Sequence, residues 1–253
     1  MKKAKRVLLN IFYPAVVVFA ILAVWAVAAK LMDVNLVLPA PEDAFRQFFV
    51  YCGQAEFWKA FFNSFWRAVY SFVISFIIAV TLSVAACLSV AVRKILMPFM
   101  AIMRSVPTMS IILILVIFLP SALAPAIVAI LVVCPTLFSA FLATIDAVDN
   151  RLVEMAKVYR VGVKDRIFKL YLPDMAPQLF ENCASGFSLN VKLVIAAEAL
   201  AYTSSSIGKL MQTAKVTLEP VSLFALTLFA MILGVICETV IRLVGRRVVR
   251  WQT

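Results

Sequence analysis

The chain of 253 residues is 64% hydrophobic and only 15% charged, with 6 Gly, 20 Phe and no His. Soluble domains of this length are about half apolar and about a quarter charged, so the composition excludes a water-soluble globular protein and implies an integral membrane protein. The net charge of +11 could suit nucleic acid, and the positions of the basic residues decide that question.

The first element is "MKKAKRVLLNIFYPAVVVFAILAVWAVAAK". Its apolar run, Val7 to Ala29, is long enough to cross a hydrocarbon core of about 30 Å. Signal-peptide cores run to about 7–15 residues, so an uncleaved first span is expected. In "LPAPEDAFRQFFV", Pro41, Glu42 and Asp43 stand where a helix start favours proline and acids. Ala44, Phe45, Phe48 and Phe49 follow as an apolar face, predicting a short helix on the outer membrane surface. Phe57, Trp58, Phe61, Phe62, Phe65 and Trp66 read as an aromatic anchor at the mouth of the second span.

Further spans are expected near 61–87, 95–119, 123–145, 177–200 and 221–241, which makes six and puts both termini on one side. That side collects sixteen of the 24 Lys and Arg, from Lys2 and Lys3 through Arg93 and Lys94 and the 146–175 loop to Arg246, Arg247 and Arg250. The other side carries Asp33, Glu42, Asp43 and Glu56, a chargeless "LPSALAP" turn, then Lys209 and Lys215. The bias of basic residues places both termini and the 146–175 loop in the cytoplasm. The positive charge is therefore topological and does not indicate nucleic acid.

Within the third span, Arg104 precedes Pro107, Thr108 and Ser110, where a proline frees a backbone carbonyl. In the fifth span Asn182, Ser185, Ser188 and Lys192 recur at helical spacing, while Asn190 and Glu198 lie off that stripe. A Lys or Arg at mid-bilayer costs about 2.5–3.5 kcal/mol on insertion scales, so each needs a role. One role is to border a translocation path, which makes Arg104, Thr108, Ser185, Ser188 and Lys192 the substrate-path candidates and favours an anionic cargo. The other is structural: Lys192 pairing with Glu198 of a second copy, or Arg104 capping helix ends. Glu198 and Glu238, near span ends, read as structural.

Between the fourth and fifth spans lies "EMAKVYRVGVKDRIFKLYLP". Asp149 or Asn150 can cap a helix that carries Glu154 early and Lys157 three residues on. Leu152, Val153, Ala156 and Tyr159 can form its apolar face. Gly162 interrupts it, a second helical stretch starts near Asp165 with Ile167, Phe168, Leu170 and Tyr171 as its apolar face, and Pro173 turns the chain into the next span. A mere connection needs a handful of residues. The residues alone leave two readings open, docking to a partner and resting on anionic lipid.

The five cysteines, Cys52, Cys87, Cys134, Cys183 and Cys237, have no paired or CxxC spacing and read as small buried hydrophobes, with neither a disulfide framework nor a metal site. A phosphate-cradling loop needs G-x-x-x-x-G-K-[ST], and only Gly208 among the six glycines precedes a Lys. The chain is thus expected to be no enzyme and to bind no cofactor of its own.

The charged segment resembles the EAA loop of ABC-importer permeases, E-A-A, three residues, G, nine residues, I-x-L-P. Glu154, Ala156, Leu170, Leu172 and Pro173 fall on its positions. Met155 replaces the first Ala, and Arg160 stands at the Gly position with Gly162 two residues later, so the bend is expected to be displaced. "LPAPEDAF", "MRSVPTMSIILILVIFL" and "KLVIAAEALAYTSSSIGKLMQTAK" are similar, in order, to segments of permeases of the nitrate/sulfonate/taurine type, over roughly residues 36–245.

The resemblance implies an all-α integral membrane protein with the type I ABC-importer permease fold, its six transmembrane helices interrupted by a cytoplasmic coupling-helix pair between spans 4 and 5. It implies one permease domain, 1–253, comprising a first span with an outer surface segment (1–56), a five-helix core (57–247) and a coupling loop (149–173). Glu154, Met155, Ala156, Tyr159, Arg160, Gly162, Asp165, Phe168, Leu170, Leu172 and Pro173 become the contact with an ATPase, Ala156 being small enough for close approach. The implied partners are two cytoplasmic ATPase subunits using ATP and Mg, a second permease copy or paralogue, and an extracytoplasmic substrate-binding protein. The implied cargo is small and anionic, like nitrate, sulfonate or taurine, or like a vitamin precursor. An ATP-independent secondary transporter or channel is the alternative, and would predict more titratable groups mid-span or a broken inverted repeat.

Overall fold

The structure, a computed structural model, describes residues 2–32, 38–162, 165 and 170–249. Its helices are α1 (Lys2–Met32), α2 (Pro41–Cys52), α3 (Ala55–Leu88), α4 (Val90–Ser105), α5 (Thr108–Phe118), α6 (Ala124–Asp146), α7 (Asn150–Val158), α8 (Leu172–Ala201), α9 (Ile207–Val216) and α10 (Pro220–Val248). The chain divides into two compact units, Met1–Trp58 with Leu210–Phe229, and Lys59–Lys209 with Ala230–Thr253.

In the first unit, Pro41 opens α2 with Glu42 and Asp43 in its first turn, where their charge meets the positive end of the helix dipole. Ala44 is fully buried, and Phe48 stacks on Phe229 with ring centroids 3.8 Å apart. Phe45 and Phe49 are exposed, so the expected four-residue face is split. Trp25 of α1 stacks on Phe224 and donates its indole N–H to the Pro39 carbonyl at 3.0 Å. Phe57 is not part of an exposed anchor: it is buried, 4.4 Å from Phe229 and 5.6 Å from Tyr51 between centroids. The chain turns sharply at Gly53, which delivers that ring inward while Trp58, Phe62 and Trp66 stay exposed.

In the second unit α6 and α8 form the central pair. Their apolar windows are 56% and 61% buried, against 28% for α3, so α3 keeps a broad face for lipid or another subunit. The face that α3 does bury is a stripe of small residues, Ala60, Ser64, Ala68, Ser71, Ser75 and Ala79. Small side chains let backbones approach closely where lipid supplies no hydrophobic drive. Ser71 and Ser75 return their hydroxyls to helix carbonyls at 3.2 and 2.8 Å, so no donor is left unsatisfied in the contact. Ile112 of α5, Val128 of α6 and Ala197 of α8 share one buried cluster.

The third expected span, 95–119, is not a continuous rod. α4 and α5 meet at an angle of 87° across Val106 and Pro107. Proline has no N–H and biases its predecessor towards extended backbone, and both residues are extended, with ψ of 128° and 124°. Counting that bent pair as one span, five spans are long and apolar enough to cross a membrane among the described residues, with Val16–Leu31 of α1 a shorter apolar helix. The sixth expected span, Val7 to Ala29, falls on the helix that contains this Val16–Leu31 stretch. A further helix, α9, lies in a segment expected to be loop.

Candidate functional site

α7 is preceded by Asp149, whose carboxylate accepts from the Arg151 N–H at 2.8 Å, an N-terminal cap as anticipated. Met155 (51% exposed), Val158 and Tyr159 (76% exposed) stand clear of the protein, Glu154 is exposed, and Ala156 is buried. Ala156 and Tyr159 thus do not share one face: Ala156 packs into this chain, and the accessible surface belongs to its neighbours. The side chains of Leu152, Val153 and Lys157 lie outside the described ones, as do residues Ile167 and Phe168. Asp165 is exposed, and Leu170 leads through Tyr171 into Leu172 and Pro173 at the start of α8.

The helix ends at Arg160, whose φ is +52°. The Val161 N–H donates back to the Ala156 carbonyl at 2.9 Å, the long return bond of a left-handed helix cap. Gly162 has no positive φ and nothing within 4 Å of a notional Cβ. The bend therefore sits at Arg160 and has not moved to Gly162. Arginine takes the left-handed backbone that glycine adopts without steric cost.

The polar stripe of α8 divides in two. Asn182 donates to Thr144 Oγ1 of α6 at 3.0 Å, and Ser188 is buried. Between Glu181 and Leu200, only Ser185, Lys192 and Ala196 of α8 are exposed. This narrow strip of small and cationic residues lies along a helix that is otherwise packed. Lys192 and Arg104, which is exposed in the last turn of α4, have no acidic partner among the described residues. Thr108, half-buried, opens α5 beyond the break.

A buried polar network joins α3, α8 and α9, and sequence reasoning did not find it. Arg67 of α3 pairs with Glu198, which is fully buried. The other carboxylate oxygen accepts from Ser64 Oγ at 2.7 Å and from the Gly208 N–H at 3.3 Å. The Ile207 N–H donates to Ser64 Oγ at 2.9 Å, and the Lys209 N–H to Ser206 Oγ at 3.1 Å. The first three N–H groups of α9, which no helix satisfies internally, are thus met by three different helices or caps. Lower down, Asn190 donates to the Ala68 carbonyl at 2.7 Å and to Ser71 Oγ at 3.2 Å. Glu238 and Glu181 both pair with Arg242. Glu198 is thus structural, as its place near a span end suggested. Its partner is Arg67 of the same chain, and that leaves Lys192 uncommitted. The signal that could have exposed the network is Arg67 itself, a lone cation inside an apolar run that demands an acid.

Residues 78–250 match the family described as binding-protein-dependent transport system inner membrane component. Two solved structures, described as inward-facing conformations of the MetNI methionine ABC transporter in a native and a selenomethionine crystal form, are similar in fold. Each has a TM-score of 0.53 at 18% identity, over 78% of this chain and 94% of that chain. No similarity to a curated protein reaches significance.

Proposed function

This chain belongs to the inner membrane components of binding-protein-dependent transport systems, and from that premise we propose that it forms the alternating-access path of an ABC importer for a small anionic solute. The observation that carries the reading is α7. It is a short capped helix between two spans, holding Met155, Val158 and Tyr159 out from the protein where burial against a partner would be favourable. In this reading α7 seats in a separate ATPase, which supplies ATP and Mg chemistry, and Glu154, Met155, Tyr159 and Arg160 touch it. The basic end of the bundle, with both termini, faces the cytoplasm. Two ATPase subunits, a second permease copy or paralogue and an extracytoplasmic binding protein complete the assembly. The likeness to a methionine ABC transporter favours this over an ATP-independent secondary transporter or channel.

ATP draws the ATPase subunits together, the docked helices follow, and the spans tilt to open the path to each side in turn. Ser185 and Lys192 on the exposed strip of α8, with Arg104 and Thr108 at the α4–α5 break, border that path. Unpaired cations there favour cargo of the nitrate, sulfonate or taurine kind, or an acidic vitamin precursor. The test is purification from detergent followed by reconstitution. An ATPase should co-purify and be stimulated by cargo, and Met155→Ala with Tyr159→Ala should abolish transport while leaving the span bundle folded. Normal transport by that variant would remove α7 from the mechanism.

A further inference from the structure

A cavity of about 780 Å³ opens between the ends of α3, α6, α8 and α10 within the second unit. Its floor includes Phe141, Met175 and Ala176, all buried, and its mouth includes Leu88, Leu172 and Val248, all exposed. Ser83 in its wall already donates to the Ala79 carbonyl at 2.7 Å. A polar solute entering here would shed water and find few partners, so the path for an anionic cargo does not run through it. The volume lies in the range of about 300–1,000 Å³ that ligand sites occupy.

The mouth stands at the basic end of the bundle. Arg246 and Arg247 immediately precede Val248 on α10, and Lys94 follows soon after Leu88; all three are exposed. None of them has an acidic partner among the described residues, whereas Arg93 is held by Asp146 and Arg242 by Glu238. An apolar slot whose rim residues Val248 and Leu88 are respectively preceded and followed in the chain by exposed cations matches one kind of molecule, a hydrocarbon tail with an anionic head. We propose that the cavity is a binding site for an anionic phospholipid, with one acyl chain against Phe141 and Met175 and the headgroup at Arg246, Arg247 and Lys94. Basic pockets between spans are known to hold such headgroups, and the bilayer supplies the ligand at high concentration. Leu172 and Pro173 form part of the wall and directly follow the charged segment. An occupying chain therefore braces the start of α8, a consequence that rests on the coupling reading while the site itself does not.

The experiment uses the full complex in neutral detergent with two photoreactive lipids, phosphatidylglycerol and phosphatidylcholine, each carrying a diazirine at the end of the same acyl chain. Peptide mapping should place phosphatidylglycerol on Phe141 and Met175, with labelling by phosphatidylcholine lower by about tenfold, the equivalent of one lost charge contact. Native mass spectrometry should show that Arg246→Gln with Arg247→Gln erases the preference, and that Ala176→Phe, which fills the floor, removes the bound lipid. Labelling confined to outward residues such as Ile74 and Ile77, or equal labelling by both lipids, overturns the proposal. The wild-type label map needs no variant to fold. It is read without ATPase activity, so failure of the coupling reading leaves it intact.

Discussion

Arg67 and Glu198, 131 positions apart in the chain, form an ion pair whose carboxylate has no exposure to solvent. Each charge is the reason the other is tolerated inside the bundle. Removing one partner leaves an uncompensated buried charge, which costs about 3–5 kcal/mol, while replacing both by apolar residues of similar volume is often close to neutral. Glu198→Ala is therefore expected to lower the unfolding temperature of the purified protein sharply. The double variant Arg67→Met with Glu198→Leu should recover most of that loss, limited by the Gly208 N–H and the Ser64 hydroxyl that the carboxylate also serves. A Glu198→Ala protein that unfolds at the wild-type temperature would show that the pair contributes nothing.

The same junction makes a demand on Gly208. A Cβ at this position would stand 2.4 Å from Glu198 Cβ and 2.5 Å from both the Ala199 N and the Ile195 O. Two of those atoms are backbone, so no rotamer change can relieve the contact. Gly208→Ala must push α9 away from α8 and break the Gly208–Glu198 bond, at a cost of about 1–3 kcal/mol or more. Hydrogen exchange at the Ile207, Gly208 and Lys209 amides should accelerate before that of the rest of α8. Unchanged protection at those three amides would mean that the close packing is not essential.

These two sites also show where sequence reading succeeds and where it stops. The start of α2 at Pro41 was legible because proline and acids act within one turn. The Asp149 cap was legible for the same reason. The bend was misjudged, because Gly162 looked like the natural break and suggested displacement, whereas the left-handed residue is Arg160, at the motif's own glycine position. At Pro107 the sequence showed a proline that frees a backbone carbonyl. The 87° angle there depends on two successive extended residues, and apolar content on both sides stays uniform through such a turn. Arg67 and Glu198 lie far apart in sequence with no periodic relation, and only the packing of α3 on α8 brings them together.

The Arg160 cap gives a prediction of opposite sign to most substitutions. A non-glycine residue in the left-handed region costs about 1–2 kcal/mol. The Arg160 side chain is exposed, so no packing is lost when it goes. Arg160→Gly should tighten the end of α7 by about 1 kcal/mol, less the extra freedom glycine has in the unfolded chain. Arg160→Val should loosen it, since a β-branched residue fits that backbone worst. Slower exchange of the Tyr159 and Val161 amides in the glycine variant, and faster exchange in the valine variant, is the expected pair of results. The reverse order would remove the strain argument.

Lys192 tests the path. It belongs to the thin exposed strip of α8, while Asn190 and Glu198 on the same helix are buried and hydrogen-bonded. Lys192 is exposed and has no ion pair or hydrogen bond among the described residues, so Lys192→Met should leave the unfolding temperature unchanged. If it meets an anionic cargo, loss of that charge-assisted contact is worth about 1.5–3 kcal/mol, or about 10–100-fold in transport at low substrate. Lys192→Glu should be worse than Lys192→Met, because it repels what the lysine attracts. Lys192→Arg should retain most of the rate, since the charge is kept. That ordering, measured in reconstituted vesicles with the ATPase present, separates a path residue from a passive surface lysine, for which all three variants would transport alike.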